Sequence, residues 1–136
     1  MSIKQVAALL YAIISAGVVA FQIALAAGAP WGAFAMGSTF PGQFPLALRI
    51  AAFIQATLLV GLAAIVLARA ELILPTWSRV SRWLVWIVVA FSALSLVLNL
   101  ITPSAGERAI WAPTAFLLLI SSGIVAFTNS SGRPAR

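Results

Sequence analysis

Residues 6–27 read VAALLYAIISAGVVAFQIALAA, and no charged side chain interrupts them. A helix that crosses the hydrocarbon core of a bilayer needs roughly 20 consecutive apolar residues, and this stretch supplies them. Apolar and polar residues do not alternate along it, as they would in a barrel strand. A backbone in lipid must satisfy its own polar groups, and a helix does so within one segment. Working outward from this run, three more stretches read the same way, over about residues 46–67, 83–101 and 110–127. The expected fold is all-α: residues 1–136 form a single transmembrane domain, a four-helix bundle.

Composition supports that reading. The chain is 63% hydrophobic and 7% charged, whereas a soluble domain carries about a quarter of its residues as charged groups. Eight basic and two acidic side chains are too few to coat a water-soluble surface. Cys, His and Asp are absent, and Glu71 and Glu107 are the only carboxylate side chains. Thiolate chemistry, Cys/His metal sites and imidazole acid–base catalysis are thereby excluded. No metal or other cofactor is expected. The net charge of +6 does not point to nucleic acid, because the basic residues are scattered at helix ends and form no stripe. They serve topology and contact with anionic lipid headgroups.

The connections differ. Residues 28–45 hold Gly and Pro with Trp31, Phe34, Phe40 and Phe44 and no charge, a composition for a turning loop at the headgroup level. Residues 71–82 form a short basic connection. Residues 102–109 hold Pro103, Gly106, Glu107 and Arg108, and residues 128–136 form a polar tail. With four spans, Lys4, Arg69, Arg79, Arg82, Arg133 and Arg136 fall on one side and Arg49 and Arg108 on the other. The positive-inside rule then puts both termini in the cytoplasm. Trp31 and Trp111 become interfacial anchors outside, and Trp77, Trp83 and Trp86 inside. A competing reading takes Lys4, the first apolar run and Ala24-Leu25-Ala26 as a cleaved signal peptide, but the run is long for that. A four-residue stripe, Ala8, Ala12, Ala16, Ala20, Ala24 and Gly28, permits close helix packing within the chain or against a second copy.

Three amides, Gln22, Gln55 and Asn99, fall in the outer half of the spans, with Arg49, Glu107 and Arg108 just above and Thr114 near the top of the last helix. Polar groups at such depth face the bundle interior or a watery cavity. The candidate outer polar cluster is therefore Gln22, Arg49, Gln55, Asn99 and Glu107. It forms either an outward-facing pocket for a small molecule or a set of interhelical hydrogen bonds. Arg49 and Glu107 are candidate ion-pair partners across the two outer loops, and Asn99 is a candidate helix cap. Glu71, between Arg69 and Arg79, reads as a local ion pair. The two halves, each a hairpin with Trp near Pro, also read as a weak internal repeat.

Gly28-Ala29-Pro30-Trp31-Gly32, with Ala35-Met36-Gly37, Phe40-Pro41-Gly42, Pro45 and Arg49, resembles a group of small bacterial four-span membrane proteins. So do Asn99-Leu100, Pro103-Ser104, Glu107-Arg108, Trp111 and Pro113 in the second half. Ser38 stands where that pattern has a second glycine. The resemblance implies the plasma membrane of a bacterium and an outer cap shaped by the recurrent residues, and it brings no activity with it. Proton-coupled small multidrug exporters need a carboxylate deep in the first helix, and four-span thiol oxidoreductases need cysteines; this chain has neither. An enzyme would have to be built on Glu107, Arg49 and Asn99 alone, so no catalytic residue is expected. The leading expectation is a non-catalytic accessory or structural membrane protein, in contact with the lipid bilayer and with itself or another membrane protein. The alternative is a binder or carrier of a small apolar or amphipathic molecule.

Overall fold

A computed structural model describes residues 1–128. It is all-α, with no strand among the described residues, and it contains four helices long and apolar enough to cross a membrane. α1 spans Ile3–Ala27, α2 Leu46–Arg69, α3 Ser78–Ile101 and α4 Ala105–Phe127. At about 1.5 Å per residue, each exceeds the hydrocarbon thickness of about 30 Å.

Local chemistry sets the ends. Ser2 and Gln5 form a reciprocal capping box that starts α1. Gly28 ends the helix in the left-handed region at φ 102, and its N–H closes on the Leu25 carbonyl. That backbone is open to glycine without a side-chain clash. Pro45, in extended backbone, precedes α2. A 3-10 turn at Pro75–Trp77 leads into α3. Ser104 caps α4, its hydroxyl accepting the Glu107 N–H at 3.2 Å.

Two helices begin earlier than hydropathy alone predicts. α3 starts at Ser78 rather than near residue 83, and α4 at Ala105 rather than near residue 110. Apolarity marks the stretch inside hydrocarbon, whereas a helix continues through the headgroup layer until a cap stops it. Glu107 and Arg108 consequently sit in the first turn of α4 and not in a loop. Glu71, expected as an ion-pair partner for Arg69 and Arg79, takes a left-handed turn position at φ 62 after α2, exposed, with its N–H on the Ala68 carbonyl. Arg133, Arg136 and most of the polar tail lie outside the described residues.

The helices pack in a ring, with α1–α2 and α3–α4 as the closest pairs and a slight α2–α4 contact across the middle. One end of the bundle carries the N-terminus, the α2–α3 turn and the end of α4; the other carries the α1–α2 and α3–α4 loops. The larger core lies toward the terminal end, where Ala8, Tyr11, Val66, Val85, Val88 and Val125 are fully buried. The outside inverts the surface of a soluble protein: Ile13, Phe53, Ile54, Trp83 and Phe127 all point outward and are exposed. Such a belt needs an apolar solvent, and the chain is a multi-pass membrane protein. α1 is integral to this core through Ala7, Ala8 and Tyr11. Its alanine stripe drifts around the helix, from buried Ala8 to exposed Ala16 and Ala20, as a four-residue repeat does on a helix with 3.6 residues per turn.

Candidate functional site

Toward the loop end the four helices part around a cavity of about 350 Å³. Its floor, near mid-bundle, is made by Tyr11 of α1, Leu59 of α2, Ser92 of α3 and Leu118 of α4. Above the floor lies a polar belt of Gln22, Gln55, Ser95, Asn99 and Thr114. The roof is Phe34, Met36 and Phe44 from the α1–α2 loop, with Glu107 and Trp111 from α4.

The belt is not a set of interhelical hydrogen bonds. Among the described residues, the side-chain amides that bond to protein groups are those of Gln5 and Asn99. Asn99 Nδ2 donates at 2.7 Å to the Ser95 carbonyl one turn back on its own helix, so it does not cap α3. Gln22 and Gln55 have no hydrogen-bond partner among the described residues, and both face the cavity. Thr114 likewise bonds within its helix, to the Ile110 carbonyl at 2.7 Å. These hydroxyl and amide groups keep spare hydrogen-bonding capacity at a depth where lipid offers no partner.

Four of the five expected cluster members, Gln22, Gln55, Asn99 and Glu107, meet at this cavity. Arg49 does not. Its Nε donates to the Ala26 carbonyl at 2.9 Å, across the start of α2 to the end of α1. The last carbonyls of a helix lack intrahelical partners and attract cations, and that pull decides where Arg49 goes. The expected Arg49–Glu107 pair is thus replaced by two separate ties, because Glu107 turns the other way. Its Oε2 accepts the Gly37 N–H at 2.8 Å.

That second tie belongs to a lattice that fixes the roof. Ser104 Oγ donates to the Ala33 carbonyl at 3.2 Å. Trp111 Nε1 donates to the Phe34 carbonyl at 2.7 Å. Arg108 bonds the Thr102 carbonyl and stays beside its own loop. Gly32 lies so close to the opposite limb of the loop that a Cβ there would overlap the Phe40 carbonyl, and its N–H donates to the Gly42 carbonyl. Met36, Gly37 and Ser38 all take positive φ, at 52, 66 and 67. This left-handed run aims the Gly37 N–H at Glu107. Ser38, where the resembled pattern has glycine, therefore holds a conformation that glycine reaches at lower cost.

Trp31 and Trp111 also differ from simple anchors. Trp31 is half exposed and stacks on Phe21 at 6.2 Å. Trp111 meets the same ring at 4.7 Å, tilted, and lines the cavity. Toward the other end, Trp86 packs edge-on against Phe127 at 4.9 Å, and the Arg82 guanidinium lies 5.3 Å from the Trp83 ring.

Three polar lining residues are not singled out by the sequence: Tyr11, Ser92 and Ser95. Ser92, Ser95 and Asn99 follow one another at helical spacing, so one face of α3 was legible as polar. Tyr11 carries no such signal. The lining as a whole offers amides, hydroxyls and one carboxylate, an arrangement suited to holding a molecule and poor in groups for acid–base or nucleophilic work. No protein-family model, no curated protein and no solved structure matches the chain.

Proposed function

We propose that this membrane protein is a non-catalytic binder or carrier of a small amphipathic molecule, held in the cavity beneath the loop roof. The observation that carries the reading is the pair of amides, Gln22 and Gln55, that have no hydrogen-bond partner among the described residues and face one half-open cavity from two helices. Polar side chains left free at such depth are costly unless something bonds them. The cavity is at the small end of the range for organic ligands. Lys and Arg counts support a cytoplasmic terminal end, with Lys4, Arg69, Arg79 and Arg82 there against Arg49 and Arg108 at the loop end. The resemblance to small bacterial four-span proteins supports a bacterial plasma membrane as its location, with the cavity under the external face.

Native mass spectrometry of the protein gently extracted from its own membranes tests this. A retained small molecule, lost on Gln55→Leu, is the expected result. A bare chain that shows no ligand under any extraction condition counts against it.

A second reading is an accessory role through contact with another membrane protein or a second copy. It rests on Ala16, Gly17 and Ala20, which are exposed on α1, with open space around Gly17. Small residues of this kind permit close helix contact in lipid. Because the chain has no cysteine, Ala16→Cys would provide a single crosslinking point; a dimer or heteromeric adduct formed in membranes supports this reading, and exclusively monomeric protein opposes it.

A further inference from the structure

We infer that the molecule held in the cavity is an amphipathic organic cation, with Glu107 as its counter-charge. This inference rests on the cavity being a binding site. Glu107 is the one charged side chain among the described residues that line it. The nearby cations are turned away, with Arg49 on the Ala26 carbonyl and Arg108 on the Thr102 carbonyl. Glu107 as a whole residue is about nine-tenths buried. Its Oε2 accepts one backbone N–H, from Gly37, and Oε1 has no hydrogen-bond partner among the described residues. That single N–H and the positive end of the α4 dipole offset only part of a full charge. A carboxylate facing a largely apolar cavity is balanced best by a cation, and among the described residues none lines the cavity.

The neighbouring walls agree. Phe21, Phe34 and Trp111 present aromatic surface around the roof, and aromatic faces attract cations. Met36 adds a polarizable thioether. Below the roof, Gln22 and Gln55 offer both donors and acceptors, and the floor at Leu59 and Leu118 is apolar. The fitting molecule has a cationic head at Glu107, a polar or aromatic waist at the amides and an apolar end near mid-bundle. An anionic amphiphile would meet the Glu107 charge with no cation to offset it.

The test uses the full chain in lipid nanodiscs and three probes: benzyltrimethylammonium, its neutral isostere neopentylbenzene, and the anion 3-phenylpropanoate. Binding is measured by equilibrium dialysis against empty nanodiscs of the same lipid. The cation is expected to bind at least about tenfold more tightly than its isostere. Glu107→Gln is expected to abolish that preference and Glu107→Asp to keep most of it. Equal binding of cation and isostere, or preference for the anion, overturns the charge assignment while leaving the cavity as a binding site. Failure of all three probes to bind overturns the inference and counts against the binding reading together. Should Glu107→Gln fail to fold, the comparison of cation and isostere on the unmodified chain decides alone.

Discussion

Toward the termini, Ala8, Val66, Val85, Val88 and Val125 are completely buried; toward the loops, the same four helices stand apart around a cavity of about 350 Å³. The contrast follows from side-chain size and from where polar groups find partners. In lipid the gain from expelling water is small, and helices associate through close van der Waals packing of small residues. The terminal half supplies these in Ala7, Ala8 and Ala70 and in the buried Ser81, Ser121 and Ser122. Each of those serines spends its hydroxyl on a carbonyl of its own helix and presents little more than an alanine-sized surface. The loop half places Phe21, Gln22, Gln55, Asn99 and Trp111 at facing positions. Their bulk keeps the helices apart, and the roof lattice of Glu107, Ser104 and Trp111 holds the open arrangement. One half is thus held together by packing throughout, and the other by a smaller cluster of Leu25, Phe44 and Ala52 together with hydrogen bonds to a folded loop.

The largest expected effect probes the packed half. Leu62, 5% exposed, belongs to the terminal core, and Leu62→Ala is expected to cost about 2–5 kcal/mol through the cavity it leaves. Leu48→Ala, on a wall that already faces empty space, should cost clearly less. Unfolding titrations of both variants in the same detergent compare them directly, and equal losses would remove the distinction between the halves. Next comes the roof: Glu107→Ala takes away the acceptor of the Gly37 N–H and is expected to cost about 1–3 kcal/mol. Limited proteolysis of the α1–α2 loop should accelerate in that variant and not in Leu62→Ala at matched stability. A smaller change of opposite sign is expected for Ser38→Gly, which relieves left-handed backbone at φ 67 and should stabilise by about 1 kcal/mol, read as a raised thermal midpoint. The smallest effect on stability belongs to Gln55→Leu. With no protein partner to lose, it should shift stability by less than about 0.6 kcal/mol, the mean for an interhelical hydrogen bond in a membrane. A loss well above that would mean the amide serves packing and would count against the open half as a binding site.

Much of this architecture was legible beforehand because lipid imposes so strict a rule on apolar length. Residues 6–27 and 46–67 match α1 and α2 to within three residues at every end. The starts of α3 and α4 were less legible, because their first turns are polar and hydropathy does not register caps. Ser104-Ala105-Gly106-Glu107 carried the missing signal, a Ser with Glu three residues on, although in the folded chain the Glu side chain reaches Gly37 instead of its own cap. Gln22, Gln55 and Asn99 could be placed at one depth by counting along helices of known direction. Arg49, just above them by the same count, could not be separated from the cluster in this way, since depth does not tell which face a side chain takes, and it faces the end of α1. Tyr11 was hidden for the opposite reason: it lies among apolar residues, and only its position in the ring of helices turns it toward the cavity floor.

By itself the sequence determined that this chain forms four membrane-crossing helices, where the polar groups lie along each of them, and which connections bend. Those properties follow from backbone hydrogen bonding in lipid, from apolar length and from the conformational limits of Gly and Pro, all of which act within a segment. The tertiary structure decided which helix faces meet, that Gln22 and Gln55 find no partner among the described residues while Asn99 bonds its own helix, and that Glu107 grips the loop while Arg49 caps α1. These are contests between partners far apart in the chain, settled by distances of about 3 Å that exist only once the four helices and their roof are assembled.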